Sequence, residues 1–326
     1  MILRRLLQLP LILGVVFALT LLAVWVLPGS PLDTADGRQV DPAVTRAMEA
    51  RYGLDASAPV FALRYLGGLV RGDLGPSLAY PGRDVADVLA EAAPVSLTLG
   101  VAALGVAVVL GVCAGVLAAL PGFPGRRPGG RFRGLGLRGA GGASLGLALL
   151  GVSLPSFVVG TALLAGLAGL TRRLFPGAGF LHFPLGGWEG PASVVLPAVA
   201  LGLAPAAYIA RLLRSELVEG AGSGYVRTAR AKGLSPAAVV LGHQLRPSLL
   251  PVLSYLGPAA ASVLTGSFVV EKVFNLPGLG SHFVNAVLNK DQFLLLALVL
   301  GYATLLVLLN LLVDVLYRVV DPRVGA

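Results

Sequence analysis

The chain has 326 residues, of which 56% are hydrophobic and only 13% are charged, and its mean hydropathy is +0.84. Soluble domains carry about a quarter charged residues, so this composition excludes an ordinary soluble fold and predicts an integral membrane protein. The net charge of +9 does not indicate nucleic-acid binding, because the basic residues flank apolar runs and are not interleaved with aromatic residues. The lone Cys113 excludes a disulfide framework and a thiolate metal cluster.

Six apolar stretches are long enough for membrane helices, which need about 20 residues. The first follows Arg4-Arg5 but is too long for a signal peptide and has no small-residue cleavage pattern before Pro28, so we expect a retained helix. The sequence therefore predicts an all-α, multi-pass integral membrane protein with six transmembrane helices. In chain order the stretches are Leu6 to Leu27, Val95 to Leu120, Ser144 to Leu170, Ala192 to Ala210, Pro251 to Val270 and Phe293 to Tyr317.

The distribution of lysine and arginine predicts that both termini are cytosolic. In that orientation the inner segments hold 15 of the 25 basic residues, and the loop 121–139 contains five arginines and no acid. The outer segments hold 10 basic residues, six of them in the long loop 29–94, where nine acids accompany them. Arg172 and Arg173 are the exception, since they fall just outside the third stretch.

The same topology predicts three parts of the chain. Residues 1–28 form an N-terminal transmembrane helix, residues 29–94 an external loop subdomain, and residues 95–326 a core with five transmembrane helices and a cytosolic loop at 211–250. The external loop is expected to fold over the outer mouth, because the apolar run from Pro59 to Val70 leads into a turn at Arg71-Gly72.

The sequence lacks the groups that would power transport or carry out chemistry. None of its three lysines follows a glycine, so the phosphate-cradling loop of many ATPases is absent. Asp314 is the only charged residue in the predicted spans, whereas ion-coupled carriers place carboxylates or histidines there. The three histidines are scattered and fit no catalytic or metal-binding motif. We therefore expect no catalytic, cofactor or metal site, and a pore driven by an external motor; the alternative is a stand-alone secondary transporter or channel.

A polar, basic segment from Tyr225 to Pro251 separates two of the apolar stretches. Its pattern predicts two short helices with a hinge: a helical run ends at Lys232, Gly233 gives the backbone freedom that a helix terminus often needs, and Ser235-Pro236 offers an N-cap and a first-turn proline. A rigid cytosolic element of this kind suits docking of a soluble partner, whereas a mere basic connector would not need hinge spacing. The residues assigned to docking are Tyr225, Arg227, Thr228, Ala229, Arg230, Ala231, Lys232, Gly233, Ser235 and Pro236.

Three other features carry predictions. Pro155 should kink the third span by removing a backbone hydrogen bond, which shapes either a pathway or only the helix packing. The segment Pro277-Gly278-Leu279-Gly280 should break helix geometry at the outer end of the fifth span. Asp314 and Arg318 lie four residues apart on the last span and could pair within the membrane, where anchoring between helices is favoured over contact with a solute.

Segments distributed over nearly the whole chain resemble the permeases of binding-protein-dependent ABC importers, in the subgroup that imports dipeptides, oligopeptides, nickel and related solutes. The general importer signature has Glu-Ala-Ala, three residues and then Gly; here Arg227, Thr228 and Ala229 precede Gly233, so the acid is missing and the form is similar to the peptide-importer variant. The matching segments are RRLLQLPLILGV at the start, LGGLVRGDLGPSL from Leu66, SLPSFVVG from Ser153, AAYIARLLRSEL from Ala206, YVRTARAKGLS from Tyr225, VVEKVFNLPGLG from Val269 and NLLVDVLYRVVDPR from Asn310.

The resemblance implies a type I ABC importer permease fold in a prokaryotic plasma (inner) membrane, surrounded by lipid. It implies a second homologous permease, two cytosolic ABC ATPases and an external solute-binding protein as partners. The chain itself would perform no chemistry, and the coupling segment, Gly224 to Gln244, would dock an ATPase. The segment at Pro277-Gly278-Leu279-Gly280 would belong to an external gate. The expected cargo is a dipeptide or oligopeptide; nickel, glutathione or a short oligosaccharide are the alternatives, because the binding protein usually carries much of the selectivity.

Overall fold

The computed structural model describes residues 2–26, 50, 52–53, 56–120, 154–174 and 186–320. Helices dominate this part of the chain, and its β pairing is confined to one isolated bridge between Pro76 and Asp84. The predicted all-α class is confirmed. The main helices are α1 (Ile2–Val26), α2 (Ala58–Val70), α3 (Val85–Ala119), α4 (Ser156–Leu174), α5 (Val195–Glu219), α6 (Gly224–Ala231), α7 (Pro236–Val239), α8 (Leu245–Ser248), α9 (Leu250–Val273), α10 (Leu279–Leu288) and α11 (Gln292–Val320).

The described residues contain four or five candidate membrane spans, which is consistent with the six predicted but does not confirm that number. Four are long and apolar enough to cross a membrane, and a helix pair bent by 55° makes a fifth candidate. The third predicted span is described only from residue 154 onward, where it contributes a shorter apolar helix, Ser156–Gly169. The four long helices cover Leu7–Val26, Val85–Ala119, Ala192–Gly222 and Gln292–Val313, and the bent pair joins Pro236–Ser248 to Leu250–Leu264.

Two helix boundaries differ from the sequence prediction. Helix α3 begins at Val85, ten residues before the predicted start, and continues through Pro94. Helix α9 continues past Val270 to Val273, which places the fully buried Glu271 in its last turn. Glu271 thus lies one residue beyond the predicted fifth span, in the same helix, and the prediction that Asp314 is the only charged residue within the spans stays a prediction.

Pro155 lies at the start of a helix in the described structure. Helix α4 begins at Ser156, and the Pro155 carbonyl oxygen accepts hydrogen bonds from the amides of Val158 and Val159 at 3.0 and 3.2 Å. A proline at such a position costs little, since the amides of a first helical turn have no partner within the helix. The expected kink inside a continuous helix is therefore not what the described backbone has, and a role of Pro155 in a pathway stays a prediction.

The chain divides into two compact units. The first comprises residues 1–97 and 275–308, and the second residues 98–274 and 309–326. The predicted three-part division concerns which residues face each side of the membrane, and it stays a prediction.

In the first unit, the fully buried Asp291 fixes the segment before α3 to the start of α11. Its Oδ2 accepts hydrogen bonds from the Ser77 hydroxyl at 2.6 Å and from the amides of Leu78 and Ala79 at 2.8 and 2.9 Å. Its Oδ1 accepts from the Leu294 amide at 3.0 Å, which is the usual role of an N-cap side chain. Hydrogen bonds of backbone amides to a carboxylate are stronger than those to neutral acceptors. One side chain thus satisfies donors from two distant parts of the sequence.

An aromatic cluster joins α1, α2 and α11 in the same unit. Phe61 lies 5.3 Å from Phe293 between ring centroids, and Phe17 stacks on Tyr65 at 5.8 Å. Gly75 closes over this cluster with φ +84°, and a Cβ there would lie 2.5 Å from the Phe293 ring. Only glycine combines that backbone conformation with that approach.

In the second unit, α5 packs against its neighbours through small residues. A Cβ at Gly202 would lie 2.6 Å from the Ala103 carbonyl oxygen of α3, and one at Gly115 would lie 2.9 Å from the Ala210 carbonyl oxygen. Backbones that approach this closely are typical of helix pairs in membranes. Helix α5 is accordingly buried along most of its length.

The Asp291 contacts predict a local loss of stability. Asp291→Ala should lower the thermal stability of the detergent-purified protein, because losing the helix cap costs about 1 kcal/mol and each buried donor left unpaired adds about 1–3 kcal/mol. The segment before α3 should also become easier to cleave, which limited trypsin digestion at Arg71 and Arg83 would detect. Asp73→Ala is the matched control, since Asp73 is exposed and its carboxylate accepts one bond, from the Gly75 amide. Equal melting and digestion of the two variants would contradict the anchoring role.

Candidate functional site

The hinge of the coupling segment has the backbone geometry that its sequence predicts. Gly233 has φ +82°, its amide donates to the Arg230 carbonyl oxygen at 2.9 Å, and the Leu234 amide donates to the Ala229 carbonyl oxygen at 3.4 Å. This pair of bonds is the Schellman arrangement that ends many helices at a glycine. The predicted helix terminus at this glycine is confirmed.

The second short helix also begins as predicted. The Ser235 hydroxyl accepts a hydrogen bond from the Ala238 amide at 3.3 Å, and Pro236 occupies the first helical position of α7. A serine N-cap followed by proline satisfies one free amide and removes another. The helix–hinge–helix is therefore encoded locally, by residues within the segment itself.

The inner face of the coupling segment is fixed to α5. Val226 and Ala229 of α6 are buried, three residues apart on one face. They share an apolar cluster with Val239 of the second short helix and with Leu213 and Leu217 of α5. The segment is thus packed directly against the inner end of α5.

The outer face is exposed and mixes basic with apolar groups. Arg227 and Lys232 are exposed together with the side chains of Tyr225 and Leu234. Arg230 differs from the expectation of an exposed charge, because it is half-buried and its guanidinium donates to the Ala221 carbonyl oxygen at 3.4 Å. Aromatic and arginine side chains on one face are typical of protein–protein contacts. The remaining predicted docking residues, Thr228, Ala231, Gly233, Ser235 and Pro236, are exposed, whereas Ala229 is buried.

A π-helical stretch, Val240–Gln244, follows α7 and was not foreseen from the sequence. Gln244 is fully buried, and its side-chain amide donates to the Leu217 carbonyl oxygen at 2.6 Å. The available signal was Pro247, whose ring crowds the carbonyl of the residue four positions earlier and favours a widened turn.

The predicted gate segment lies at a break between two helices. Helix α9 ends at Val273, and Gly278 is the N-cap of α10, whose first amide, that of Leu279, donates to the Ser96 hydroxyl at 2.8 Å. The left-handed residue in this break is Asn275, with φ +51°, whereas Gly278 has φ −99°. Pro277 is exposed and Gly280 is buried within α10. A break is present as predicted, and its role as a gate stays a prediction.

The predicted membrane pair on α11 is not tested, because the structure describes the backbone of Asp314 and Arg318 but not their side chains. One turn before Asp314, the Asn310 side chain of α11 approaches α9 closely. A Cβ at Gly257 of α9 would lie 2.6 Å from the Asn310 Oδ1. The pairing of Asp314 with Arg318 therefore stays a prediction.

Comparison with known proteins agrees with this arrangement. The chain is 40% identical over 299 residues to the oligopeptide transport system permease protein OppB of Haemophilus influenzae, covering 91% of this chain and 90% of that protein. It is 39% identical over 310 residues to the dipeptide transport system permease protein DppB of Bacillus subtilis, covering 95% and 92%. It is 40% identical over 326 residues to OppB of Escherichia coli, covering 99% and 98%. Residues 111–326 match the family model of the binding-protein-dependent transport system inner membrane component. The chain therefore belongs to this family of ABC importer permeases.

Proposed function

We propose that this chain forms half of the translocation pathway of an ATP-driven importer of dipeptides or oligopeptides, and that its coupling segment docks a cytosolic ATPase. The observation that carries the proposal is the rigid helix–hinge–helix, whose inner face is packed on α5 and whose outer face is exposed and basic. The peptide cargo is supported by relatives named as oligopeptide and dipeptide permeases, which align over more than nine-tenths of this chain.

The packing suggests how ATP binding would move the permease. Helix α5 has 25 residues, and a helix of that length extends about 37 Å, enough to cross the apolar core of a membrane. A partner that changes shape on binding nucleotide would shift the coupling segment and, through its buried contacts, the inner end of α5. The free energy for the transition comes from the different affinity of nucleotide for the two states. The chain itself contributes the two-state element and no chemical step.

We infer the partners from the exposed surfaces and from the family. The side chains of Leu7, Leu11, Leu19 and Leu22 on α1 are largely exposed, so lipid or a second, homologous permease would cover them. Two ATPases and an external solute-binding protein complete the proposed complex. The proposed setting is a prokaryotic plasma membrane, with both termini in the cytosol. Segment 277–280 is proposed to act in an external gate.

Membership of the importer family argues against the alternative class, a stand-alone secondary transporter, and one buried residue allows that alternative to be tested. Glu271 is buried in the last turn of α9, and buried carboxylates in membrane helices often mark ion pathways. Uptake by vesicles that depends on a proton or sodium gradient and not on ATP would support this alternative. Nickel, glutathione or a short oligosaccharide are the alternative cargoes within the importer class.

A substitution at the hinge tests the docking role. Gly233→Val should abolish uptake and weaken ATPase retention, because a β-branched residue at φ +82° is strained by its backbone. A Cβ at this position would meet no atom within 4 Å, so the expected strain comes from the backbone conformation. The measurements are co-purification of the ATPases and ATP-driven uptake of labelled trialanine by proteoliposomes.

Gly233→Asn is the matched control, since asparagine tolerates a left-handed backbone and should keep most of the uptake. Arg227→Glu reverses a charge on the exposed face and should weaken ATPase retention without altering the hinge. Full uptake and normal ATPase retention in both Gly233→Val and Arg227→Glu would show that the segment is only a connector between two membrane helices.

The missing phosphate-binding loop predicts that the isolated chain is inactive. Purified and reconstituted alone, it should neither hydrolyse ATP nor accumulate trialanine, and both activities should appear with the partner subunits. Stoichiometric ATP hydrolysis by the isolated chain, measured as phosphate release, would overturn the assignment.

The orientation can be tested with single cysteines in a Cys113→Ser background. A cysteine at Asp73 should react with an impermeant thiol reagent in intact cells, whereas one at Arg227 should react only after the membrane is opened. A cysteine at Arg131, which lies outside the described residues, should behave like the one at Arg227. Labelling of position 227 or 131 from outside would show that the orientation is the reverse of the one proposed.

A further inference from the structure

The end of α5 is held by a side chain from the coupling segment. Helix α5 ends at Glu219, and the last four carbonyls of any helix lack amide partners within it. Leu217 contributes one of these carbonyls, and the buried side-chain amide of Gln244 donates to it at 2.6 Å. Gln244 therefore caps α5 from 27 residues further along the chain.

Gly220 shows that this contact is closely packed on its other side. A Cβ at Gly220 would lie 2.9 Å from the Gln244 Nε2. The backbone φ of Gly220 is −66°, which any residue adopts. Glycine is therefore suited to this position by space and not by backbone conformation.

The capping residue sits in an unusual helical turn. Gln244 is the last residue of the π-helical stretch Val240–Gln244. Single π turns are rare and are frequent at functional sites. Conversion of such a turn to the α form shifts the register by one residue, which rotates the side chains beyond it by about 100°.

Among the described residues, three buried polar atoms near this junction have no hydrogen-bond partner: Gln244 Oε1, Arg214 Nε and Ser223 Oγ. Gln244 Oε1 is an acceptor without a donor, and Arg214 Nε on α5 is a donor without an acceptor. Arg214 precedes Leu217 by three residues. It therefore lies on the same side of α5, about 4.5 Å nearer the N-terminus of the helix. Most buried polar atoms in native proteins are paired. Gln244 Oε1 and Arg214 Nε are thus a candidate acceptor and donor, and residue 214 lies one helical turn before the carbonyl that Gln244 now holds.

We infer that Gln244 is the positioning residue of a two-state joint between the coupling segment and α5. In the present state its amide holds the Leu217 carbonyl. In the second state the π turn changes register, the amide leaves Leu217, and Gln244 Oε1 accepts from Arg214 Nε. This inference rests on the proposed function, because it describes how movement of the docked ATPase reaches the membrane helices.

The test uses the complete complex in proteoliposomes, with trialanine as the transported probe. Gln244→Leu keeps the volume approximately and removes both hydrogen bonds. We expect it to retain the ATPases and to hydrolyse ATP, while trialanine transported per ATP falls about tenfold, within the usual range of coupling between sites. Gln244→Glu cannot donate to Leu217 and attracts Arg214, so it should also uncouple transport. Arg214→Lys in the Gln244→Glu background should change the uptake per ATP again, since the two residues act together.

His243→Ala is the matched control, because His243 is the exposed neighbour in the same π-helical stretch, and its uptake per ATP should equal that of the unmodified complex. Unchanged uptake per ATP in Gln244→Leu would overturn the inference, as would an equal loss in His243→Ala. If Gln244→Leu fails to assemble, Gly220→Ala tests the inference instead. This variant leaves every polar group in place, and its Cβ displaces the Gln244 amide. Normal uptake per ATP in Gly220→Ala would also overturn the inference. Failure of the proposed function is a different result, in which the unmodified chain retains no ATPase or transports no trialanine.

Discussion

The close packing of small residues around α5 is the constraint on which the second unit depends. Helices in a membrane gain little from the hydrophobic effect when they associate, because lipid tails are as apolar as their side chains. Van der Waals contact must supply the attraction, and it requires the backbones to approach. Gly202 and Gly115 permit that approach, since a Cβ at either would lie within 3 Å of a backbone oxygen on the facing helix. Glycines thus determine how closely α5 approaches α3.

The packing around α5 also holds the coupling segment in place. Val226 and Ala229 are buried in the cluster that contains Leu213 and Leu217, so α6 is continuous with the packed interior of its unit. The hinge at Gly233 orients the second short helix, and the exposed basic face remains available to a partner. Under the proposed function, a segment packed in this way would pass displacement on to α5, whereas a flexible loop would absorb it.

The local structure of the site could be predicted from sequence because it depends on neighbouring residues. Gly233 ends one helix and Ser235-Pro236 starts the next, and these preferences operate over one turn. The features that were missed depend on distant residues or on helix continuity. Helix α3 passes through Pro94, where the sequence analysis placed the end of the external loop. Arg230 was expected to be exposed, but it reaches back to Ala221, a contact that requires knowledge of the turn between α5 and α6.

Gln244 shows most directly why the remainder could not be predicted. In sequence it is one polar residue in a polar segment, where solvent exposure is the ordinary expectation. Its burial follows from the widened turn before Pro247 and from the space left at Gly220, neither of which has meaning until α5 and the coupling segment are side by side. A buried amide is costly unless it is paired, and here it pairs with a helix end whose carbonyls need partners. Two local deficits thus satisfy each other: the buried amide gains an acceptor, and the helix end gains a donor.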